Sequence, residues 1–438
     1  MSHQHIKDHY DKEVPASTGG SYESYRWFKS SLDEAAYQLT KEAIEKHLLA
    51  DKSLTPEQVL EVGPGPGTWT KLLLSQWETA HYDLIDISKA MLTEAKKALS
   101  KQKEKIKFTE ADFSTFKLTE SYQLFFSSRA FEYFNDKEEF VAQVSRALLP
   151  GGTGFIITKY PHPWLNKLRR HKVGKRHKQQ TGSLPLTQIL SRFNFRVMGI
   201  YPVTVSVPFL KSPTANRLAG KLFRFLPLNP ITALITESYG VKFKKLETVE
   251  LLGLPGAGKS TLAHKLEQEG FKLVKVRSRW QLVWFNLIFI SYFPRSSFNF
   301  LKLLWQHRRG PKKLLYLKLM NLFFQANAKW ILARDYPKAV IDQGHFQAFL
   351  SLFEHVAGKH EFKQLSAALP RASELVIVET ESAVRLERLS ARAALPRAEF
   401  GLAYAKHWQE ISTRNYDLFK ALGPELHLPK TIVINPWS

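Results

Sequence analysis

The chain has 438 residues, enough for two or three domains, and its apolar fraction of 44% and aromatic fraction of 13% are those of a folded protein. It has no cysteine, which excludes disulfides, thiolate metal sites and cysteine nucleophiles. The first residues are polar and have no apolar signal-peptide core, so we expect a cytoplasmic enzyme.

The net charge of +23 is concentrated in two tracts that contain no Asp or Glu. Residues 140–236 carry 15 Lys or Arg and residues 270–334 carry 13, so the rest of the chain is slightly acidic. A short basic run is ordinarily a solvated face, but tracts of 97 and 65 residues predict a polyanionic partner or an anionic surface. Nucleic acid, a diphosphate-linked lipid carrier and anionic lipid are the candidates.

Strands and helices are predicted in alternation along the first part of the chain. Short strands are expected over residues 59–62, 82–87, 106–109, 124–127 and 155–158. Helices are expected over 32–50, after a cap at Ser88, and over 138–149. Segments 196–207 and 239–246 are expected to close the sheet as a strand pair. This order predicts an α/β fold with a doubly wound, Rossmann-like sheet.

A second α/β unit is expected to begin immediately before a strand at 249–252 and to end with a strand at 431–434. The predicted domains are therefore 1–246 and 247–438, each built around a parallel sheet. The polar, basic stretch 160–185 is expected to be a loop or short insertion in the first domain.

A glycine-rich loop follows the first strand in the run VLEVGPGPGTWT, residues 59–70. The strand carries Glu61, and the loop has three glycines, Gly63, Gly65 and Gly67. Glycines let the backbone turn sharply and let a ligand approach where a side chain would block it. The next strand ends in Asp86, 19 residues past the last glycine, where a carboxylate can accept both hydroxyls of a ribose.

Further motifs follow in order: Ala111-Asp112-Phe113, then SSRAFEYF at 127–134 and LLPGG at 148–152. Over roughly residues 20–245 the chain resembles the class I S-adenosylmethionine-dependent methyltransferases. The resemblance implies that Glu61 and the three glycines frame the methionine part of the cofactor. It also implies that Asp86 holds the ribose and that Asp112 and Phe113 flank the adenine. A nicotinamide-binding fold uses similar glycines, but the LLPGG turn and the acid after the third strand argue against it.

Methyl transfer is a direct displacement in which the protein mainly aligns the nucleophile and removes its proton. Four residues are expected to border the pocket: Arg129, Glu132, Tyr133 and His162. Each also has a purely structural interpretation, as a helix-start charge, a core residue or a loop residue.

A second glycine-rich loop, LLGLPGAGKST at 251–261, satisfies the pattern GxxxxGK[ST]. In such a loop the backbone N–H groups cradle phosphate oxygens, Lys259 neutralises the β/γ charge and the Ser260 hydroxyl helps to hold magnesium. The expected nucleotide-binding residues are Gly253, Gly256, Gly258, Lys259, Ser260 and Thr261.

Asp342 follows the apolar run 339–341 and is expected to be a catalytic or magnesium-binding carboxylate. Further on, three arginines share one face of a predicted helix: Arg385, Arg388 and Arg392. Near a transferring phosphate they would stabilise negative charge, and otherwise they form a solvent-facing basic surface.

Residues 247–438 resemble P-loop kinases of the nucleotide-kinase type. The resemblance implies ATP and Mg²⁺ as ligands, with Arg388 and Arg392 as lid arginines. The basic and aromatic segment 277–334 stands where nucleotide kinases have their acceptor-binding helices, so the acceptor is not expected to be an ordinary nucleoside monophosphate. Within it, residues 280–293 are too short to span a bilayer and are predicted to form a buried helix. The alternative is an element that lies on a membrane surface or grips a partner.

A methyltransferase joined to a kinase predicts two group transfers to one acceptor. We expect a polyanionic or lipid-linked glycan, with peripheral contact between the protein and an anionic membrane. An RNA-modifying kinase and methyltransferase is the alternative, as is a methyltransferase with a regulatory ATP-binding module.

Overall fold

The computed structural model divides the chain into two compact units, residues 1–245 and 246–438. The structure describes residues 3–13, 21–116, 118, 121–161, 179–205, 212–223, 228, 230–308, 310–366, 369–370, 372–391, 395–426, 428 and 430–434.

The described helices of the first unit are α1 (His3–Asp8, continued by a π-turn over His9–Glu13), α2 (Tyr22–Trp27), α3 (Ser31–Ile44, continued over Glu45–Leu49), α4 (Thr68–Gln76), α5 (Lys89–Ala98), α6 (Lys137–Ala147), α7 (Ser183–Arg192), α8 (Pro213–Phe223) and α9 (Pro230–Ala233). Its strands are β1 (Gln58–Val62), β2 (His81–Asp86), β3 (Ile106–Glu110), β4 (Tyr122–Ser128), β5 (Leu148–Lys159), β6 (Phe195–Val205) and β7 (Thr236–Lys245).

These strands form one sheet in the order β3-β2-β1-β4-β5-β7-β6 among the described residues. β7 runs antiparallel to both β5 and β6, and the other pairs are parallel. The predicted closing strand pair is therefore present as β6 and β7. The chain leaves β1 toward β2 and later returns on the other side of β1 as β4. A crevice for a ligand is expected at such a switch point, outside the carboxyl ends of the strands.

Both faces of the first sheet are covered, because successive residues of its strands lie in different clusters of the core. In β4, Leu124 and Phe126 belong to one cluster and Phe125 to the other. This is the pattern of a sheet with helices on both sides. Ser88 is the N-cap of α5, as predicted, and its hydroxyl accepts a hydrogen bond from the Met91 N–H. The helix predicted over 138–149 ends earlier, because Leu148 already pairs with Tyr122 in the sheet.

The described helices of the second unit are α10 (Lys259–Gln268), α11 (Arg279–Tyr292), α12 (Pro294–Gln306), α13 (Lys312–Leu319, continued by a π-turn over Met320–Gln325), α14 (Ala326–Ala333), α15 (His345–Leu350), α16 (Lys359–Ser366), α17 (Ser382–Ala391) and α18 (Leu402–Leu422). Its strands are β8 (Glu247–Leu252), β9 (Lys272–Leu273), β10 (Lys338–Ile341), β11 (Glu374–Val378) and β12 (Lys430–Ile434).

The second sheet is parallel throughout its described strands, in the order β12-β11-β8-β10-β9. β8 lies at the centre, so the loop that follows it also leaves the sheet at a switch point. Alternate residues of β11 again divide between two core clusters, with Leu375 and Ile377 on one face and Val376 and Val378 on the other. The second unit is thus an independent doubly wound sheet with its own core.

The prediction of a buried helix over 280–293 is wrong for half of that helix. Phe289 is fully buried and Asn286 nearly so, but the opposite face of α11 is exposed, including Trp280 and Trp284. The run is apolar on every side, yet only one side of the helix meets the core. No helix within the described residues is long and apolar enough to cross a membrane.

Candidate functional site

The first glycine-rich loop joins β1 to α4 at the carboxyl edge of the sheet. Gly63, Gly65 and Gly67 have φ angles of 71°, 56° and 84°, in the left-handed region that favours glycine. A Cβ at Gly63 would lie 2.4 Å from the Cβ of Ala130, so the loop packs directly against the segment after β4. A Cβ at Gly65 would meet nothing within 4 Å. The loop is therefore packed against its neighbours at Gly63 and is open to a ligand at Gly65.

A cavity of about 150 Å³ lies over this loop. It is lined by the loop itself, the ends of β2 and β3, the segment after β4 and the N-terminal residues. Of the residues predicted to bind a cofactor or border a pocket, seven line it: Gly63, Gly65, Asp86, Asp112, Phe113, Arg129 and Tyr133.

Asp86 at the end of β2 ties the loop to the neighbouring strand. Its Oδ2 accepts a hydrogen bond from the Gly65 N–H at 3.2 Å, and its Oδ1 accepts one from the Ser88 N–H at 2.9 Å. Burial raises the pKa of Asp86 to about 6, although these backbone hydrogen bonds act in the opposite direction. The carboxylate is thus fixed in orientation at the cavity wall.

Glu61 lies behind the loop, on the buried side of β1. Its Oε2 accepts a hydrogen bond from the Thr70 hydroxyl at 2.8 Å, and the residue is 1% exposed. Burial raises the pKa of Glu61 to about 8, with a small opposing effect of the Thr70 hydrogen bond. Glu61 therefore connects β1 to α4 and is largely protonated at neutral pH.

Asp112 and Phe113 follow β3, and their side chains have local partners. Asp112 Oδ1 accepts hydrogen bonds from the Ser114 N–H at 2.9 Å and from the Ser114 hydroxyl at 2.7 Å. The Phe113 ring is buried and packs edge-on against Phe140, with ring centroids 5.3 Å apart. Phe113 thus borders the cavity from within the core.

Arg129 and Glu132 form an ion pair in the segment after β4. Arg129 has a φ of 67°, and its Nε donates to both carboxylate oxygens of Glu132 at 3.2 Å. The fully buried Glu132 also accepts a hydrogen bond from the Lys159 N–H at 3.1 Å. Burial acts to raise the pKa of Glu132, but the charge and hydrogen bonds of Arg129 outweigh it and lower the pKa. Glu132 is therefore an ionised counter-ion that positions Arg129.

The N-terminal residues close one side of the cavity, which the sequence motifs did not indicate. The Tyr10 hydroxyl lies 2.9 Å from the Tyr133 hydroxyl. Asp11 Oδ1 accepts hydrogen bonds from the Ser88 hydroxyl at 2.6 Å and from the Ala90 N–H at 3.0 Å. The segment has no recognisable motif, so only tertiary contacts reveal its role. His162, also predicted to border the pocket, lies outside the described residues.

A family profile described as "Methyltransferase domain" matches residues 59–152, the part of the chain that holds the loop, Asp86, Asp112 and the Arg129 segment. The N-terminal unit contains a class I S-adenosylmethionine-dependent methyltransferase domain.

Curated relatives match the methyltransferase domain over part of their own length. The malonyl-[acyl-carrier protein] O-methyltransferase of Paenibacillus sp. (strain JDR-2) is 27% identical over 158 residues, which is 35% of this chain and 55% of that protein. A trans-aconitate 2-methyltransferase of Escherichia coli (strain ATCC 8739) is 29% identical over 136 residues, 30% of this chain and 52% of that protein. The chain thus spans about half the length of the curated relatives it matches.

Among solved structures, the magnesium protoporphyrin IX methyltransferase of Synechocystis PCC 6803 with bound SAH aligns with a TM-score of 0.39 and 13% identity. The alignment covers 56% of this chain and all of that one.

Several charged side chains of the methyltransferase domain interact around Arg129. Burial and the positive charges of Arg129 and Arg26 lower the pKa of Lys159 to about 8, against the effects of Glu132 and Glu237. Burial and the charge of Arg129 also lower the pKa of Arg26, which lines the cavity. Arg129 and Lys159 interact with Glu132, Lys159 also interacts with Glu237, and Arg26 lies 3.9 Å from Asp33.

In the second unit, the loop after β8 has the same kind of backbone as the loop of the methyltransferase domain. Gly256 and Gly258 have φ angles of 86° and 97°, and Gly258 is the N-cap of α10. Lys259 Nζ donates hydrogen bonds to the Gly253 carbonyl at 2.5 Å and to the Leu254 carbonyl at 3.1 Å. Burial lowers the pKa of Lys259 to about 8, although the negative charge of Asp342 acts to raise it.

The other predicted residues of this site lie on neighbouring elements. Asp342 follows β10 directly, and its Oδ1 is 2.8 Å from the Nζ of Lys329. Ser260 and Thr261 are exposed in the first turn of α10. The Asp342 carboxylate therefore interacts with two lysines, Lys329 and Lys259. Lys329 was not among the residues predicted from the sequence.

α17 packs its arginine-bearing face against the second loop. A Cβ at Gly256 would lie 2.9 Å from the Arg385 carbonyl oxygen and 3.1 Å from its Cγ. Arg385 is buried, and its Nη1 has no hydrogen-bond partner among the described residues. Arg388 is half-buried one turn further on, and Arg392 lies outside the described residues. Among the described residues, Arg385 is therefore the arginine that packs against Gly256, whereas the resemblance had singled out Arg388 and Arg392.

Proposed function

We propose that the chain is a bifunctional transferase. Its methyltransferase domain takes a methyl group from S-adenosylmethionine, and its second unit takes a phosphoryl group from ATP. The observation that carries this proposal is the presence of one left-handed glycine loop at the switch point of each of two separate sheets, where the central strands are parallel. An adenosine-containing ligand needs such a loop because its charged part must approach the backbone closely.

The residues of the first cavity fit the sulfonium cofactor. No atom fills the space beside Gly65, so the cofactor can approach the backbone of the loop there. Asp86 presents a carboxylate of fixed orientation to the ribose hydroxyls. Asp112 and Phe113 border the region assigned to the adenine. When bound, the cofactor supplies an electrophilic methyl carbon. Transfer to an acceptor hydroxyl would leave S-adenosylhomocysteine in the cavity and would pass the hydroxyl proton to water.

The residues of the second loop fit the phosphates of ATP. The N–H groups of the loop and of the first turn of α10 point toward an anion placed at that helix N-terminus, and Lys259 adds a positive charge. The buried Arg385, with an unpartnered guanidinium nitrogen, supplies a second cation beside the loop. Ser260 and Asp342 would hold Mg²⁺, which neutralises charge on the phosphates when it is bound. The ion pair with Lys329 then holds Asp342 in its orientation.

An anionic acceptor suits the methyltransferase domain. Two guanidinium groups, those of Arg26 and Arg129, line the cavity, and an acidic group on the acceptor would pair with them there. The names of the two curated relatives, which refer to malonyl and trans-aconitate groups, also involve carboxylated acceptors. We infer a polyanionic or lipid-linked glycan as the acceptor of both transfers, which assigns the chain to surface polysaccharide modification.

Calorimetric titration of the full chain with S-adenosylmethionine and with ATP–Mg²⁺ tests the two sites independently. Asp86→Ala is expected to abolish binding of S-adenosylmethionine and to leave ATP binding unchanged. Lys259→Ala is expected to do the reverse, so each variant is the control for the other. Loss of both ligands in either variant, with an unchanged circular dichroism spectrum, would contradict the model of two sites.

A labelling experiment tests the acceptor. A diphosphate-linked glycan lipid and a bulk RNA preparation are incubated separately with the protein, radiolabelled S-adenosylmethionine and ATP. Label in the glycan lipid is expected, and it should fall when Arg26 is replaced by Gln. Label in the RNA alone would favour nucleic-acid modification. ATP that binds but is never consumed would indicate a regulatory module.

A further inference from the structure

The second unit has an apolar surface that no part of the described chain covers. It consists of one stripe on α11 and one on α12, and we call it the aromatic face. Its exposed side chains, with their exposed fractions, are Trp280 (84%), Val283 (48%), Trp284 (62%), Leu287 (57%) and Ile290 (40%) on α11, and Phe298 (68%), Leu301 (49%) and Trp305 (67%) on α12.

The spacing of these residues places them on one side of each helix. The exposed residues of α11 recur three, four, seven and ten positions after Trp280, and those of α12 recur three and seven positions after Phe298. The opposite sides meet in one core, where the rings of Phe289 and Phe300 are 6.1 Å apart. Both stripes therefore lie on the outer surface of the same helical layer.

Basic residues lie on α11 and α12 and in the segment before α11, and acids are absent from the whole tract 270–334. Five of the basic residues are exposed and have no acidic partner within 4.0 Å among the described residues: Lys275, Arg277, Arg279, Arg295 and Lys302. A sixth, Arg308, stacks its guanidinium over the Trp305 ring at 4.3 Å. Apolar stripes beside unpaired cations are complementary to a partner that has an apolar interior beneath a layer of anionic groups.

We propose that the aromatic face binds the headgroup region of an anionic lipid bilayer, with α11 and α12 lying in the plane of the membrane. α11 has 14 residues, about 21 Å, which is too short to span the hydrocarbon core, so it lies along the surface. Tryptophan is suited to this depth because its ring is apolar and its indole N–H remains near water. The unpaired lysines and arginines contact lipid phosphates around the stripe.

A bilayer suits this surface better than a nucleic acid does. A single-stranded nucleic acid binds through stacking of its bases on aromatic rings. Here aliphatic side chains, Val283, Leu287, Ile290 and Leu301, stand between the rings and make the face continuously apolar. The proposal does not depend on either group-transfer activity, since vesicle binding is measured without substrates.

Co-sedimentation of the full chain with lipid vesicles tests the proposal. Phosphatidylcholine vesicles with and without phosphatidylglycerol are compared at low and high salt. Binding is expected with phosphatidylglycerol and is expected to weaken at least tenfold without it or at high salt. The triple variant Trp280→Gln, Trp284→Gln, Leu287→Gln is expected to lower the partition coefficient at least tenfold. Arg277→Gln with Arg279→Gln is expected to lower it severalfold.

Leu402→Gln is the matched control, because Leu402 is 65% exposed on α18, away from the two stripes, and takes the same substitution as Leu287. It should leave vesicle binding unchanged, and thermal melting should show that all variants are folded. Absence of binding to phosphatidylglycerol vesicles would overturn the proposal, as would an equal loss in the control. Binding of RNA with a steep salt dependence and no vesicle binding would also overturn it, and would assign the face to nucleic acid.

Discussion

The Tyr10 hydroxyl lies 2.9 Å from the Tyr133 hydroxyl, although 123 residues separate them in the chain. This hydrogen bond joins the N-terminal segment to the segment after β4, and both tyrosines line the cavity of the methyltransferase domain. Asp11 anchors the same segment to Ser88 and Ala90 at the start of α5. The N-terminal residues therefore form a wall of the cavity that must hold its position while the cofactor is bound.

Tyr10→Phe is expected to increase the dissociation rate of S-adenosylmethionine by about 3- to 10-fold, since one hydrogen bond contributes about 0.5–1.5 kcal/mol. Stopped-flow fluorescence measures this rate. Tyr133→Phe should also increase this rate, and the effects of the two changes should not add in the double variant, because both changes remove the Tyr10–Tyr133 bond. Tyr25→Phe, at an exposed tyrosine of α2, is the control. Additive effects of the two variants would contradict the shared bond.

Gly63 and Gly65 allow a comparison of two alanine substitutions in one loop. Gly63→Ala places a Cβ 2.4 Å from Ala130 at a φ of 71°, so we expect a loss of about 2–4 kcal/mol in the free energy of unfolding. Gly65→Ala meets no atom within 4 Å and is expected to cost only the backbone strain, about 1 kcal/mol. Urea denaturation without cofactor measures both values. Gly65→Ala should instead weaken cofactor affinity, because its Cβ would occupy the open side of the loop.

Glu61→Gln is expected to stabilise the cofactor-free protein at neutral pH. The pKa of Glu61 is raised from 4.5 to about 8 in the fold. The unfolded chain therefore releases its proton first, and stability falls as the pH rises from about 4.5 to about 8. At about pH 7 the glutamine variant should be more stable by up to about 3 kcal/mol, and near pH 4 the difference should vanish. Denaturant titrations at the two pH values measure this difference, and equal differences at both would contradict the raised pKa.

ATP affinity is expected to depend on pH through Lys259. Burial lowers the pKa of its ammonium group to about 8, and bound phosphates would raise it again. Above about pH 8, ATP binding therefore takes up a proton. The affinity for ATP should fall about tenfold for each pH unit above that value. Calorimetry in buffers of different ionisation enthalpy measures the proton uptake. Lys259→Arg should remove the uptake, because a guanidinium does not titrate in this range.

The positions of both glycine loops, and of Asp86 and Ser88 after the second strand, could be predicted from the sequence. Each depends on contacts within a few residues: a strand pattern, a glycine turn and a helix cap. The end of α6 was predicted two residues too late, because pairing of Leu148 with Tyr122 in the sheet competes with the helix. Lys329 as the partner of Asp342 was not predicted, since it comes from another element. Arg385 was one of three arginines expected on one helix face, but its packing against Gly256 could not be predicted, because it depends on how α17 meets the loop.

The alternation of strands and helices, the two glycine loops that follow strands and the two long tracts without acids can all be read from the chain alone. Which side of α11 faces the core became known only from the fold. That helix is apolar around its whole circumference, so its periodicity carries no information about burial. Likewise, only the fold brought Tyr10 to Tyr133, because hydrogen bonds between distant segments depend on how strands order themselves in a sheet and leave no local pattern in the chain.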